Sequence, residues 1–257
     1  MYIETTEKLL DFIEKSPTAF QAVDEMQKRL TENGFEVLSE KEYWKLVPGG
    51  KYLVTRNNSA LIAFCIPEKE SRVFHIMASH SDSPSFKIKE NPEIKVDNSY
   101  VKLNVEKYGG MLMAPWFDRP LSVAGRVIIR RNDGLEEKLV DIKRDLVMIP
   151  NLAIHMNREA NNGVAYNPQK DQPLFAAGNT DRTLLEIIAE QTGVKKEDII
   201  SHDLFLYNRM LGTIWGADKE FVSSARLDDL QCAFASMEGL LRAQNHGSIA
   251  VHCVMDN

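Results

Sequence analysis

The feature that most constrains the fold is a short, mostly apolar run, Val73-Phe74-His75-Ile76-Met77-Ala78. Its length and composition predict a strand buried on both faces. The next residues, Ser79-His80-Ser81-Asp82-Ser83-Pro84, are turn formers and predict the end of that strand. We therefore expect His80 at the carboxyl edge of a sheet, which is where open α/β sheets bind ligands.

His80 and Asp82 are separated by one residue, so an extended backbone points both side chains the same way. Asp82 can then accept the second imidazole N–H while the other ring nitrogen binds a metal ion. The alternative is a buried strand histidine followed by an ordinary Ser-Asp-Ser-Pro turn. These residues alone leave both interpretations open.

Composition excludes several classes of protein. The chain has 257 residues, a net charge of −6 and scattered basic residues, which argues against a nucleic-acid partner. Its three cysteines lie in apolar contexts and indicate free thiols in a reducing compartment. The N-terminus does not resemble a signal peptide, and no apolar run is long enough to cross a bilayer. We expect a cytoplasmic protein without a membrane partner.

The order of predicted elements suggests two domains. Two amphipathic helices open the chain, and a hairpin turning at Asn57-Asn58 precedes the His80 strand. After Pro84 short strands dominate, and the hairpin around Asn132-Asp133-Gly134 is the clearest of them. A helix is expected from Thr180. We predict one mixed domain from residues 1–88 and 219–257 and a β-rich insert over residues 89–218.

The segment after the insert contains a second ambiguous motif, Arg226-Leu227-Asp228-Asp229-Leu230, at the start of a predicted helix. Aspartate there is explained by helix capping and by the helix dipole, or by metal binding. The chain then closes with the apolar run Ile249–Met255 followed by Asp256-Asn257, which predicts a buried strand at its carboxyl edge. Because a parallel strand normally leads into a covering helix, we expect the chain to be a fragment.

Several short motifs along the chain match one family when they are taken together. They are Ser16-Pro17-Thr18, Gly50-Lys51-Tyr52, Ser79-His80-Ser81-Asp82-Ser83-Pro84, Trp116-Phe117-Asp118-Arg119, Ile154-His155-Met156-Asn157-Arg158, His202-Asp203-Leu204-Phe205-Leu206-Tyr207 and Arg226-Leu227-Asp228-Asp229. In this order they resemble the N-terminal part of an aspartyl aminopeptidase, a family of dinuclear-zinc metallopeptidases. The resemblance runs through nearly all of the chain.

The resemblance implies roles for four residues. His80 would bind one metal ion, Asp82 would orient His80, and Asp228 would bridge two divalent ions, expected to be zinc. His155 would reach the active site of a neighbouring subunit and help to hold the substrate or the tetrahedral intermediate. The alternative for His155 is a satisfied histidine in a buried extended segment.

The resemblance also implies the fold class and the reaction. The fold would be α/β, with a zinc-peptidase-like catalytic domain containing a mixed sheet, interrupted by a β-rich oligomerisation domain. The protein would be a homo-oligomer, a dodecamer built from dimers, that hydrolyses N-terminal acidic or neutral residues from peptides with a water activated by two metals. The family's general base and remaining ligands would lie beyond Asn257, so the chain alone is expected to be inactive.

Two rival interpretations remain. A truncated, non-catalytic relative would use the insert as an oligomeric assembly module without a metal centre. A dinuclear-zinc carboxypeptidase or deacetylase would share the His-x-Asp pair, but we would not expect it to carry the Ile154-His155-Met156-Asn157-Arg158 motif.

Overall fold

The computed structural model describes residues 2–163, 166–167, 171–178, 180–244 and 247–256. These residues contain four α-helices and thirteen strands. The helices are α1 (Tyr2–Lys15), α2 (Ala19–Glu32), α3 (Leu184–Thr192) and α4 (Leu227–Arg242). The strands are β1 (Glu36–Val37), β2 (Lys51–Arg56), β3 (Ala60–Cys65), β4 (Phe74–His80), β5 (Ser85–Val96), β6 (Tyr100–Tyr108), β7 (Leu121–Arg131), β8 (Gly134–Asp141), β9 (Leu174–Ala177), β10 (Ile199–Asn208), β11 (Thr213–Trp215), β12 (Phe221–Ser223) and β13 (Ile249–Met255). None of the described helices is both long and apolar enough to span a membrane.

The chain forms two compact units, and the first is discontinuous. It comprises Met1–Ser83 and Leu211–Asn257, whereas the second comprises Pro84–Met210. The domain limits expected from sequence lie a few residues further along the chain at both junctions. The catalytic and oligomerisation roles expected for the two domains stay predictions.

The first unit is built on a five-stranded mixed sheet in the order β1-β2-β3-β13-β4. The β2–β3 hairpin turns at Asn57 and Asn58, whose φ angles of 54° and 51° fit the tight hairpin turn that the sequence predicts. β13 lies antiparallel to β3 and parallel to β4. The strand that closes the sequence therefore occupies a central place in this sheet.

The helices of the first unit cover the sheet through a continuous apolar core. The amphipathic patterns of α1, α2 and α4 supply one side of this core, and alternate residues of the strands supply the other. Its most deeply buried members include Phe12, Met26, Leu30, Leu53, Leu61, Ala233, Met237 and Val254. The N-cap of α2 is Thr18.

Strand β4 is not buried on both faces, so that expectation is wrong. Phe74 and Ile76 are 57% and 62% exposed. β4 is an edge strand whose sheet partner among the described residues is β13. Its inner face packs on α4, where the hydroxyls of Ser79 and Ser236 lie 3.2 Å apart, and its outer face is left open by the described part of the chain.

The second unit contains a six-stranded antiparallel sheet in the order β8-β7-β10-β5-β6-β9. β5 is one long strand with an irregular register between Ile88 and Glu93, where the sequence predicts two separate strands. α3 begins at Leu184, four residues later than expected, because Thr183 and Glu186 form a reciprocal capping box. The core lies against one face of the sheet and includes Phe86, Ile88, Leu103, Leu121, Val127, Ile129, Leu184, Ile188 and Leu204.

Candidate functional site

His80 lies at the carboxyl end of β4 between two carboxylates. Its Nδ1 is 2.8 Å from Asp82 Oδ1, and its Nε2 is 2.8 Å from Asp229 Oδ2. Asp82 follows His80 by two residues, past a bend at Ser81, and its side chain reaches the same side of the chain as the imidazole. The contact expected from the spacing is present, and the metal-binding role of His80 stays a prediction.

The start of α4 brings the two adjacent aspartates to this histidine. Arg226 precedes the helix with a positive φ of 58°, and its guanidinium donates to the Ile13 carbonyl oxygen at 2.9 Å. Asp228 has the non-helical angles φ −84° and ψ 105°, and the Asp228–Asp229 peptide bond is cis. The N-cap residue is Arg226, whose side chain makes no capping bond, so neither aspartate is the N-cap residue.

Negative charge is concentrated around the imidazole. Burial raises the pKa of Asp229, and a hydrogen bond with Asp228 raises it further, to about 6. Burial by itself would lower the pKa of His80, but its hydrogen bond to Asp82 and the charges of Asp229 and Asp228 raise it above its ordinary value. Three carboxylates thus lie around one imidazole ring.

The donor set fits part of a metal site. Imidazole nitrogen and carboxylate oxygen are zinc ligands, and a carboxylate on the other ring nitrogen is the usual support for a ligating histidine. A divalent cation would also relieve the crowding of Asp82, Asp228 and Asp229. However, the described residues contain no group of three or more His, Cys, Asp or Glu side chains arranged to hold a metal. They would supply one side of such a site.

Asp229 is the residue of this cluster that sequence reasoning missed. The family resemblance implies a role for Asp228 alone, whereas the structure places Asp229 against Nε2 of His80. The sequence feature that could have indicated Asp229 is the adjacent pair Asp228-Asp229, because helix capping requires only one such residue.

His155 is exposed, and it lies in a turn of the second unit rather than in a buried extended segment. The alternative of a satisfied core histidine is therefore wrong. The apolar neighbours Leu152 and Met156 are also exposed. The backbone is extended only from Leu146 to about Ile149. Over these residues, isolated β-bridges connect it to neighbouring strands and loops of the second unit.

The fold is a zinc-peptidase-like α/β domain with an inserted β-rich unit. Solved structures of aminopeptidases have the same fold. The chain belongs to the M18 family: the family model described as aminopeptidase I zinc metalloprotease (M18) matches residues 12–257.

Individual relatives cover the whole chain. A probable M18 family aminopeptidase 2 of Clostridium acetobutylicum is 46% identical over 264 residues, which span 99% of this chain and 61% of that protein. The structure of Chaetomium thermophilum mApe1 matches with a TM-score of 0.90 at 30% identity, covering 99% of this chain and 62% of that one. The S. cerevisiae mApe1 dodecamer matches with a TM-score of 0.84 at 27% identity, covering 100% and 61%. The chain thus spans about three fifths of the length of these relatives.

Proposed function

We propose that the intact protein is an aminopeptidase that removes N-terminal residues from peptides with the help of two divalent metal ions, expected to be zinc. The observation that carries this proposal is the position of His80 between Asp82 and Asp229, with Asp228 beside them. Membership of the M18 family supports a peptidase activity.

The residues of the first unit have distinct tasks in this proposal. Asp82 accepts the Nδ1–H of His80, which fixes the neutral tautomer and leaves Nε2 to bind a metal ion. Asp228 would contribute its carboxylate to holding both ions, and Asp229 would support Nε2 in the absence of an ion. When bound, the ions polarise the scissile carbonyl and lower the pKa of a water molecule.

The second unit is proposed to build the oligomer and to complete the neighbouring active site. His155 is exposed on a projecting segment, from which it can contact the substrate held by another subunit. A related aminopeptidase, S. cerevisiae mApe1, forms a dodecamer, and we propose the same assembly here. The proposed substrates are peptides with an acidic or a neutral N-terminal residue, hydrolysed in the cytoplasm.

The test uses the intact protein, including any sequence that follows residue 257. We expect it to bind close to two zinc ions per subunit and to release the N-terminal residue from short peptides that begin with aspartate, glutamate or leucine. Removal of the metal with a chelator should abolish release, and added zinc should restore it. An intact protein that assembles but neither binds metal nor cleaves any of these peptides would favour the assembly-module alternative.

A further inference from the structure

The segment of the second unit that carries His155 is exposed. Its described part, residues 151–163, is almost entirely exposed. Its backbone hydrogen bonds are local turns, such as Met156 N–H to the Ala153 oxygen and Ala160 N–H to the Asn157 oxygen. The direction of the segment therefore depends on how its base is held.

Asp118 holds that base through both carboxylate oxygens. Its Oδ1 accepts the backbone N–H of Asn151 at 2.8 Å, and its Oδ2 accepts the Asn151 side-chain amide at 2.9 Å. The backbone N–H of Asp118 donates to the Ile149 oxygen at 3.0 Å. The hydrogen bonds from Asn151 also lower the pKa of Asp118, so that the carboxylate stays ionised. Three hydrogen bonds thus join one aspartate to the first residues of the segment.

The other end of the segment returns to the same turn. The ring of Tyr166 meets the ring of Phe117 edge-on, with centroids 6.1 Å apart. Tyr166 also lies 5.8 Å from Phe86, which in turn packs edge-on against Trp116 at 5.2 Å. Aromatic pairs of this geometry contribute beyond the area they bury. The turn Trp116-Phe117-Asp118 therefore holds both ends of the His155 segment.

We propose that Asp118 is a positioning residue: by holding Asn151 it sets the direction in which His155 is presented to the neighbouring active site. This inference rests on the proposed function of His155. Asp118 contacts no substrate, and it acts through the segment alone. Small displacements of a substrate-contacting group can cost an enzyme up to a hundredfold in rate, so a loosened base should be visible in turnover.

The first measurement does not depend on activity. Asp118 has a φ of 54°, so Asp118→Gly deletes the carboxylate without straining the backbone. Asp97→Gly is the matched control, because Asp97 is an exposed aspartate with a φ of 46° in another turn of the same unit. In Asp118→Gly, amide hydrogen exchange in peptides from residues 150–163 should accelerate about tenfold, while Asp97→Gly leaves it unchanged. Unchanged exchange in Asp118→Gly would overturn the proposal.

The second measurement asks whether Asp118 works through His155. We expect Asp118→Gly to lower kcat/KM about tenfold and the double variant Asp118→Gly/His155→Phe to be no slower than His155→Phe alone. Asp118→Asn should recover most of the activity, because its amide oxygen accepts the Asn151 N–H and the Asn151 amide can reverse. A further tenfold loss in the double variant would show that Asp118 acts independently and would overturn the proposal. Normal turnover in His155→Phe would refute the role of His155, while hydrogen exchange would still report whether Asp118 holds the segment.

Discussion

At His80, both ring nitrogens already have carboxylate neighbours, and the two neighbours differ in kind. Asp82 is part of the same strand end and is held by the local backbone. Asp229 lies at the start of α4, and its side chain is hydrogen-bonded to that of Asp228. In the proposed site, Nε2 is therefore the nitrogen that would bind the metal ion, while Nδ1 stays hydrogen-bonded to Asp82.

This assignment predicts the effect of removing the imidazole. In the intact protein, His80→Ala should lose at least one metal ion per subunit and lower kcat about a hundredfold or more, since the metal loses a ligand. His75→Ala is the control, because His75 lies on the same strand and is exposed. Metal content by mass spectrometry and turnover of a peptide substrate report the outcome. Full activity and full metal content in His80→Ala would refute the site.

His252 is the buried histidine of the first unit. It is 0% exposed, and both of its ring nitrogens are without a hydrogen-bond partner among the residues that the structure describes. Its neighbours in the adjoining strands are the uncharged Ala63 and Met77. Burial lowers its pKa from the ordinary 6.5 to about 4.

This burial makes the stability of the first unit sensitive to acid. Between pH 6.5 and 4 the unfolded chain takes up a proton at His252 and the folded chain does not, so the free energy of unfolding falls as the pH falls. The loss approaches roughly 3 kcal/mol at pH 4. His252→Leu should remove this loss and be at least as stable as the parent at pH 7.5. Denaturant unfolding at pH 7.5 and 5 measures it, and equal pH dependence in both proteins would contradict the prediction.

Sequence reasoning reached His80 and Asp82 but not Asp229, and the reason is physical. The His80–Asp82 contact joins two residues that are two positions apart at the end of one strand, so the local sequence is enough to indicate it. The His80–Asp229 contact depends on where α4 begins and on the non-helical backbone at Asp228, which no local pattern of residues specifies. The exposure of His155 could not be predicted from the sequence either, because the apolar residues around it have the pattern of a buried strand.

At the scale of elements, the second unit carries a row of alternating charges across four adjacent strands. Glu137 of β8 contacts Arg126 of β7 at 2.9 Å, and Arg126 contacts Asp203 of β10 at 3.0 Å. Lys87 of β5 follows at 3.2 Å from Asp203. Burial would raise the pKa of Asp203, but Arg126 and Lys87 lower it below its ordinary value. Arg126 is only 9% exposed, so its acidic partners offset the cost of burying its guanidinium group.

Removing the central arginine should therefore be costly. Arg126→Met keeps most of the apolar stem but removes the guanidinium that two half-buried carboxylates share, which should destabilise the protein by about 2–3 kcal/mol. Arg131→Met is the control, since Arg131 pairs with Glu136 at a more exposed position of the same hairpin and should cost less than about 0.5 kcal/mol. Urea unfolding at pH 7 compares them, and equal costs would refute the role of the row.

Local signals predicted the hairpins well and the edges poorly. Asn57-Asn58 and the turn before Gly134 are specified by residues that tolerate positive φ. By contrast, the apolar composition of β4 suggested burial on both faces, while its actual place is at the edge of the described sheet. Strand order is decided by contacts between distant parts of the chain, and a single sequence carries little information about them.

At the scale of the whole molecule, the proposed active site draws on two subunits. A subunit with His80→Ala still presents an intact His155, and a subunit with His155→Phe still keeps an intact His80 site. When the two inactive variants are produced together, random mixing in a symmetric oligomer should restore about one quarter of the parent activity. Two copies of the same variant mixed in the same way provide the control. No recovery in verified mixed oligomers would show that each subunit completes its own site.

The discontinuity of the first unit also sets an order of events during synthesis. β4 carries His80, yet its partner among the described strands, β13, begins only at Ile249. A ribosome therefore delivers every residue of the second unit, Pro84–Met210, before it delivers the strand that β4 requires. The second unit can fold on the nascent chain while β4 of the first unit is still unpaired. His80, at the centre of the candidate site, is therefore synthesised early, but its strand is paired with β13 late. Chaperones can bind the unpaired strand during that interval.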